Sequence, residues 1–347
     1  MAQTNISYKE NTKYGYASGR LRVLETRLLN RNAVLRLLEA DSAQEVIRLL
    51  SEGEYGSAFS GISSPIDFDT GLKIELRRTY ALIDELSHDP DLTNIFRAKC
   101  DFHNLKVLLK ASYLEEFNTG FDGIISDLGL IQLETLKLTV MPESDKKAEA
   151  VPNYIMNALN SARSQYESSQ NPKFIDTIID NHCHSFMFER AEEYSNKFLC
   201  GYLRAVADLN NIRNFIRVKM LNENIRLLDS IILPYGSIDK KVFIGHFDDT
   251  IESFASSLSN TPYSDVITEG IRKWTDEHSL AVYEKLADNF LINYIKPVKY
   301  IIFGIEPLIG YLLAKEHEIK LIRIIMTGKI NDLPTEIINE RLRDTYV

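Results

Sequence analysis

Acidic and amide side chains recur in this chain at a fixed spacing, inside two similar segments. Residues 97–111 read RAKCDFHNLKVLLKA and residues 204–218 read RAVADLNNIRNFIRV. Asp101 and Asp208 therefore lie 107 residues apart, as do Asn104 and Asn211. On a helix each aspartate shares a face with apolar residues four and seven to eight positions later. A carboxylate in that position must be paired or hydrogen-bonded, because an unpaired buried charge is strongly destabilising.

The repeated aspartate has two interpretations, a chemical one and a structural one. It is either a general base or metal ligand, or part of a packing helix whose acid is satisfied by Arg97, Arg204 or a neighbouring helix. A fainter third copy at Glu318–Lys320, another 107 residues on, has Lys315 in place of the aspartate and Glu316 beside it. Catalytic sites are seldom copied at equal intervals and an essential acid would be retained, so we predict a packing helix.

A second acidic pattern gives the alternative hypothesis. The sequence DDTIE contains Asp248, Asp249 and Glu252, which matches the pattern that all-α isoprenoid synthases use to hold Mg²⁺. Such a site needs a second acidic cluster facing the first, and the sequence offers none. The same acids also favour a helix N-terminus. The alternative, an all-α Mg-dependent enzyme of this kind, therefore depends on these three residues alone.

Two histidines, His182 and His184, flank Cys183 in a pattern that resembles a pair of metal ligands. On a helix, positions i and i+2 point about 200° apart, so the two rings cannot bind one ion. The three cysteines of the chain are scattered, which excludes a disulfide framework and a C-x-x-C zinc site and suits a reducing compartment. We expect no metal, no cofactor and no catalytic residue.

Composition and charge exclude further classes of function. Hydrophobic residues make up 44% of the chain and charged residues 26%, as in globular proteins with a sizeable core. A net charge of −9 argues against general nucleic-acid binding, because phosphate contacts need a basic surface. Thr327–Lys329 reads TGK but lacks the earlier glycine and the strand of a P-loop, so we expect no ATP binding by that route.

The sequence contains no segment that predicts insertion into a membrane. The longest apolar run, Tyr300–Ala314, includes Glu306 and Pro307 and is shorter than the roughly 20 residues of a spanning helix. The N-terminus has no apolar core of a secretory signal. We therefore expect a soluble cytoplasmic chain in which residues 300–314 form a buried helix.

Helical periodicity dominates the chain, and alternating strand-like runs are nearly absent. The leucines between residues 21 and 35 form one apolar stripe. Ser42 and Glu45 have the spacing of a capping box ahead of the next helix. These patterns predict an all-α fold.

The repeat predicts how the helices are grouped. A period near 107 residues is too long for the common solenoid repeats and suits three similar helical bundles in tandem. A chain of 347 residues also exceeds what one core usually serves. We predict an N-terminal tail at 1–13 and helical subdomains at 14–110, 111–220 and 221–347.

The densest basic stretch of this acidic chain begins with Arg20, Arg22 and Arg27. Arginines in such a stretch form either a solvated helix face or a patch that docks an acidic partner, and the sequence leaves both open. We take these three arginines as candidate partner-docking residues.

The order of motifs between residues 14 and 56 resembles one known family. An aromatic residue precedes Arg-x-Arg, followed by a Leu-Leu pair, a Ser-x-x-Glu helix ending in Leu-Leu, and a tyrosine. These positions are Tyr16, Arg20, Arg22, Leu28, Leu29, Ser42, Glu45, Leu49, Leu50 and Tyr55. The pattern resembles the N-terminus of the C-type stalk subunits of V/A-type rotary ATPases, which are related to the d-type subunits of the eukaryotic vacuolar ATPase. The RAxxDxxN segments and the chain length are also similar.

The resemblance implies three homologous helical subdomains around a pseudo-threefold axis, which together form a funnel. It implies a non-catalytic central-stalk subunit, a socket that couples the rotor shaft (D- and F-type subunits) to the membrane ring of proteolipid subunits. Such a protein transmits torque for ATP-linked transport of H⁺ or Na⁺ and is attached peripherally, through the ring, on the cytoplasmic side of the membrane. The repeated segment would then be one wall helix of the funnel in each subdomain.

Overall fold

The computed structural model describes residues 12–114, 124–141, 151–277 and 279–347. Every regular element in these ranges is helical, which confirms the all-α fold. The α-helices are α1 (Gly15–Glu25), α2 (Arg31–Leu38), α3 (Ala43–Ser51), α4 (Gly56–Phe59), α5 (Phe68–Leu86), α6 (Pro90–Leu114), α7 (Leu133–Val140), α8 (Asn153–Ser169), α9 (Lys173–Glu193), α10 (Lys197–Met220), α11 (Ile225–Ile231), α12 (Lys240–Gly245), α13 (Ile251–Ser257), α14 (Ser264–Glu277), α15 (Ala281–Ile295), α16 (Glu306–Ile330) and α17 (Thr335–Arg341). Short 3-10 turns lie at Thr12–Tyr14, Pro65–Asp67 and Lys296–Tyr300. Within these ranges, no helix combines the length and the apolar character that crossing a membrane requires.

The helices group into two compact units. The first consists of residues up to Asp89 together with Glu252–Val347, and the second of Pro90–Ile251. In the first unit a core of aliphatic side chains joins α2, α3 and α5 to α16. In the second unit another core joins α6 to α7, α8 and α9. The division into three subdomains stays a prediction.

The 107-residue period of the sequence is also a period of the helices. The two longest helices of the second unit, α6 and α10, begin at Pro90 and Lys197, and two later short helices, α7 and α12, begin at Leu133 and Lys240. The third copy of the segment lies in α16 of the first unit. All three copies therefore lie in the middle of a helix of 24 or 25 residues.

The leucine stripe between residues 21 and 35 is divided between two helices. Asn30 takes an extended backbone conformation and its side chain accepts a hydrogen bond from the backbone N of Ala33, so it caps α2. Helix α1 ends earlier, at Glu25, with Thr26 as its C-cap. The predicted cap of α3 is present, since Ser42 Oγ accepts from the backbone N of Glu45 at 3.2 Å. The Glu45 carboxylate, however, binds Arg48.

The apolar run at residues 300–314 is only partly the buried helix that the sequence predicts. Helix α16 begins at Glu306, and Pro307 occupies its first turn, where the missing N–H costs nothing. Tyr300 and Ile302, ahead of the helix, are 86% and 67% exposed. One part of this apolar run therefore lies in a buried helix, and the other part lies on the exposed surface.

Candidate functional site

The carboxylate of Asp101 is completely buried and binds the backbone of a following loop. It accepts hydrogen bonds from the backbone N of Leu130 at 3.0 Å and of Ile131 at 3.1 Å. Asn104, one turn further along α6, exchanges two hydrogen bonds with Ser126: its Nδ2 donates to the carbonyl at 2.7 Å and its Oδ1 accepts from the backbone N at 2.8 Å. We call this arrangement the first clamp.

The second copy makes the same contacts at the same sequence distances. Asp208 accepts from the backbone N of Ser237 and of Ile238, both at 3.0 Å and again 29 and 30 residues further on, and from Ser237 Oγ at 2.5 Å. Asn211 exchanges the paired hydrogen bonds with Leu233, at 3.0 and 2.7 Å, 22 residues further on. We call this the second clamp.

The two clamps explain why aspartate and asparagine recur together. Each pair fixes the loop that leads into a short helix, α7 or α12, by satisfying backbone groups that would otherwise be buried without partners. The acid is satisfied by backbone amides, where the sequence predicted Arg97, Arg204 or a neighbouring helix. A carboxylate saturated by backbone donors and closed off from solvent is a structural group, which supports the packing interpretation.

Burial raises the pKa of Asp101 to about 6, although the two backbone N–H groups of Leu130 and Ile131 and the nearby charge of Arg97 act in the opposite direction. The desolvation of a completely buried carboxylate outweighs two amide donors. The first clamp therefore titrates in a mildly acidic range, and its ionised form is destabilised relative to the unfolded chain.

In the third copy the acid is replaced by a buried lysine. Lys315, 1% exposed, lies 2.8 Å from Glu318 Oε1 and 3.2 Å from Glu75 Oε1, and its ammonium group lies 4.6 Å from the centre of the Tyr55 ring. Tyr55 also donates its hydroxyl to Glu318 Oε1 at 2.7 Å. Burial by itself lowers the pKa of Lys315, but Glu318 and Glu75 outweigh it and raise that pKa above its usual value. The lysine is therefore charged, and the group forms a buried ionic cluster.

The ionic cluster also holds backbone, at a position that matches the other two copies. Glu318 Oε2 accepts a hydrogen bond from the backbone N of Leu29, two residues before α2 begins. Ile131 and Ile238 likewise lie two residues before α7 and α12. The long helix of the third copy therefore fixes the entry to a short helix, with Glu318 in place of the aspartate. Sequence analysis missed this role, although Lys315 and Glu318 at i and i+3 on an apolar stripe signal a buried pair.

The three candidate docking arginines differ in how strongly the fold holds them. Arg22 donates to the backbone carbonyls of Val298 at 2.9 Å and Ile301 at 2.8 Å, and pairs with Glu25 at 2.5 Å. Its guanidinium thus ties α1 to the segment that precedes α16. Arg20 pairs with Glu85 at 2.5 Å, which raises the pKa of the arginine.

Arg27 makes a longer contact, 3.4 Å from Glu54, and its side chain is 53% exposed. Exposed ion pairs contribute little stability, because water already solvates both charges. The pairs of Arg20 and Arg27 therefore contribute little stability, whereas Arg22 has a structural role.

The residues of the alternative hypothesis are solvent-exposed. Asp248, Asp249 and Glu252 are all exposed, and Asp249 binds His246 Nδ1 at 2.7 Å. Across the described ranges, no group of three or more His, Cys, Asp or Glu side chains is arranged to hold a metal ion. His182 and His184 lie on α9, and burial lowers the pKa of His184 to about 4, which keeps it neutral.

Comparison with known proteins identifies the family. The sequence model of the ATP synthase (C/AC39) subunit family matches residues 17–341. The chain belongs to this family. A relative from Enterococcus hirae, named as the C-type component of a V-type sodium ATPase, is 26% identical over 330 residues, which cover 94% of this chain and 97% of the relative.

A second relative of this C/AC39-family chain, the corresponding C-type component of the A-type ATP synthase of Methanocaldococcus jannaschii, is 25% identical over 347 residues, covering 95% of this chain and 86% of the relative. The protein of the same name from Thermococcus kodakarensis is 23% identical over 345 residues and is covered to 90%. The likeness thus extends far beyond the N-terminal motifs. It gives the chain the role of a subunit in an ATP synthase complex.

Replacing the glycine inside each clamp tests how closely the loops approach the long helices. A Cβ at Gly129 or Gly236 would overlap Oδ1 of Asp101 or Asp208. We expect Gly129→Ala and Gly236→Ala each to lower the free energy of unfolding by about 1–3 kcal/mol, since the clamp must open to admit a methyl group. Gly245→Ala is the control, because nothing lies within 4 Å of its Cβ. Urea denaturation followed by circular dichroism measures the effect, and equal midpoints for all three variants would contradict it.

The pKa of Asp101 predicts a specific dependence of stability on pH. The folded state keeps the Asp101 proton up to about pH 6, whereas the unfolded chain loses it near pH 4. The contribution of protonation is therefore fully present below pH 4 and disappears as the pH rises to 6. Relative to Asp101→Asn, the wild type should lose about 2–3 kcal/mol of unfolding free energy over this range. Stability curves that stay parallel between pH 4 and 6 would exclude this titration.

Removing the buried lysine should destabilise the first unit strongly. Lys315→Met removes the cation shared by Glu318 and Glu75, although Glu75 keeps its pair with Arg78 at 3.0 Å, and we expect a loss of about 3–5 kcal/mol in the free energy of unfolding. Lys320→Met on the same helix removes an exposed lysine from its pair with Asp288 and should cost less than about 1 kcal/mol. Adding Glu75→Gln to Lys315→Met should restore part of the stability. Equal losses for the two lysine variants in urea denaturation would argue against the ionic cluster.

Proposed function

We propose that this chain is a non-catalytic central-stalk subunit of a V/A-type rotary ATPase. It acts as a socket that couples the rotor shaft, with its D- and F-type subunits, to the membrane ring of proteolipid subunits, and it transmits torque between them. The chain has no active site of its own in this proposal and binds neither ATP nor nucleic acid. An adaptor of this kind needs two docking surfaces on a stiff body.

Exposed apolar side chains at both ends of α16 carry the proposal. Tyr300 and Ile302 lie ahead of its first residue, and Leu333 and Ile337, which are 37% and 39% exposed, follow its last. A helix of 25 residues separates the two groups by about 37 Å. Apolar side chains exposed in groups are typical of surfaces that bind other proteins.

The second unit repeats this arrangement on α10. Tyr194, 40% exposed, precedes the helix, and Leu221 and Ile225, 69% and 39% exposed, follow it. A long helix with apolar side chains beyond each end thus occurs in both units. The clamps and the ionic cluster stiffen the connections around these helices, which suits a part that must transmit torque rather than bend.

The remaining features of the proposal follow from the family and from the repeat. The chain would form three homologous subdomains, 14–110, 111–220 and 221–347, around a pseudo-threefold axis, with α6, α10 and α16 as walls of a funnel. It would lie on the cytoplasmic side of the membrane, attached through the ring. The relative from Enterococcus hirae is named as part of a sodium ATPase, whereas the archaeal relatives are named as parts of ATP synthases, so Na⁺ and H⁺ are both candidate ions.

Arg20, Arg22 and Arg27 are the proposed partner-docking residues. Arg20 and Arg27 form exposed ion pairs with Glu85 and Glu54, and they can exchange these for acidic groups of a partner. Arg22 contributes by holding α1 in place.

Affinity purification of the tagged chain from detergent-solubilised native membranes, followed by mass spectrometry, tests the proposal. We expect rotor-shaft subunits and the proteolipid to be recovered with the wild type. The double variant Arg20→Glu, Arg27→Glu should reduce this recovery about tenfold, because it places like charges opposite each other. Arg272→Glu is the matched control, an arginine of the same unit whose side chain is 60% exposed. Recovery of the tagged chain alone would refute the adaptor function, and unchanged recovery with the double variant would refute the docking residues.

A further inference from the structure

Helix α1 presents an exposed face that no element among residues 12–114, 124–141, 151–277 and 279–347 covers. Tyr16, Arg20 and Val23 follow each other at i, i+4 and i+7 and therefore form one ridge along the helix. Tyr16 is 74% exposed and Val23 57% exposed, while the opposite side of the helix, with Ala17 and Leu21, is buried. A surface helix that keeps aromatic and aliphatic side chains on its outer face is unusual for a chain without a partner.

A second line of exposed apolar side chains runs beside this ridge. Arg22 on the flank of α1 binds the carbonyls of Val298 and Ile301, so residues 298–303 lie along that flank. A Cβ added at Gly15, on the same flank, would lie 3.6 Å from the Phe303 ring. Tyr300 and Ile302 project from this segment into solvent.

Gly19 forms the floor between the two lines. Gly15, Gly19 and Arg22 are spaced i, i+4 and i+7 and therefore lie on one side of α1. This is the side toward residues 298–303. A Cβ added at Gly19 would meet no atom within 4 Å, so the space above it is open. A glycine at that place lets the backbone of another molecule approach α1 closely. We call this surface the α1 groove, formed by Tyr16, Gly19, Val23, Tyr300 and Ile302.

The charged side chains around the α1 groove indicate which kind of partner it binds. Arg20 lies on its ridge and Arg27 just beyond its end, and none of the five residues that form the groove is acidic. Arg20 pairs with Glu85 and Arg27 with Glu54, both on neighbouring elements. Because these ion pairs are exposed to solvent, a carboxylate of another molecule can replace the glutamate. The α1 groove thus combines exposed apolar side chains with arginines whose acidic partners are supplied by neighbouring elements. An acidic and apolar partner complements it.

We propose that the α1 groove binds an amphipathic, acidic helix of the rotor shaft. Two ridges with a glycine floor between them have the form that accepts one row of side chains from a helix packed alongside. The ridge from Tyr16 to Val23 extends about 10 Å, close to two turns of such a helix. Tyr16 and Tyr300 are the aromatic anchors, and Arg20 pairs with an acid of the partner. This inference rests on the proposed function and adds which surface receives the shaft.

Filling the floor of the groove tests the shape of the site. Gly19→Leu places a side chain in open space on a helix, so the stability of the protein should not fall. Recovery of shaft subunits by the tagged chain from solubilised membranes should drop about tenfold or more, because the helix can no longer seat. Gly61→Leu is the matched control, since Gly61 is in the same unit and also has nothing within 4 Å of its Cβ. Thermal unfolding of both variants verifies that the fold is intact.

Photo-crosslinking in the assembled complex identifies the occupant. A benzoylphenylalanine at position 16 or 300 should form an adduct with an acidic helical peptide of a shaft subunit, whereas one at position 66, an exposed isoleucine outside the groove, should not. Adducts with the proteolipid, with a second copy of the chain or with its own residues 1–11 would overturn the inference, as would the absence of an adduct from intact complexes.

The two proposals fail in distinguishable ways. If the tagged wild type recovers neither shaft nor ring, the proposed function is wrong. If it recovers both and Gly19→Leu recovers them equally well, the socket function stands and the assignment of the α1 groove is wrong.

Discussion

The structure depends on buried polar side chains that hold backbone rather than other side chains. Asp101 and Asp208, each completely buried, accept hydrogen bonds from pairs of consecutive backbone amides that precede α7 and α12. A loop that enters the interior must satisfy its N–H groups, and a carboxylate projecting from a long helix does so at a fixed point. Helix bundles without such contacts depend on apolar packing, which tolerates sliding. The clamps instead set the position of each short helix on the long helix before it.

The third copy also fixes the backbone ahead of a short helix, but it does so with different side chains. Glu318, neutralised by Lys315 and supported by Tyr55, accepts the backbone N of Leu29 ahead of α2. A buried ion pair adds little net stability, because desolvation offsets the attraction, but it defines one geometry. Loss of the aspartate in the third copy therefore does not mean loss of the contact. The repeated element is best described as a long helix that fixes the backbone just ahead of a short helix, through an aspartate in two copies and a glutamate in the third.

Several of these features were predictable from the sequence. Helical periodicity predicted the all-α fold, and the equal spacing of Asp101 and Asp208 indicated a structural role rather than catalysis. Motif order near the N-terminus indicated the C/AC39 family, which the match over residues 17–341 confirms. These features depend on local spacing, since both a helical face and a sequence repeat are visible in one dimension. The break between α1 and α2 was missed because a single cap, Asn30, outweighs a continuous leucine stripe.

The sequence by itself determined the fold class, the repeated helix and the family. Only the tertiary structure decided what satisfies the buried acids, because the backbone amides lie 29 and 30 residues further on and any residue type can supply them. It also decided that Glu75 joins Lys315 from a distant helix, and that Tyr300 and Ile302 are exposed although their sequence is as apolar as a core. Burial is a property of the packed chain, and hydrophobicity does not distinguish a side chain that packs inside from one that forms a surface for a partner.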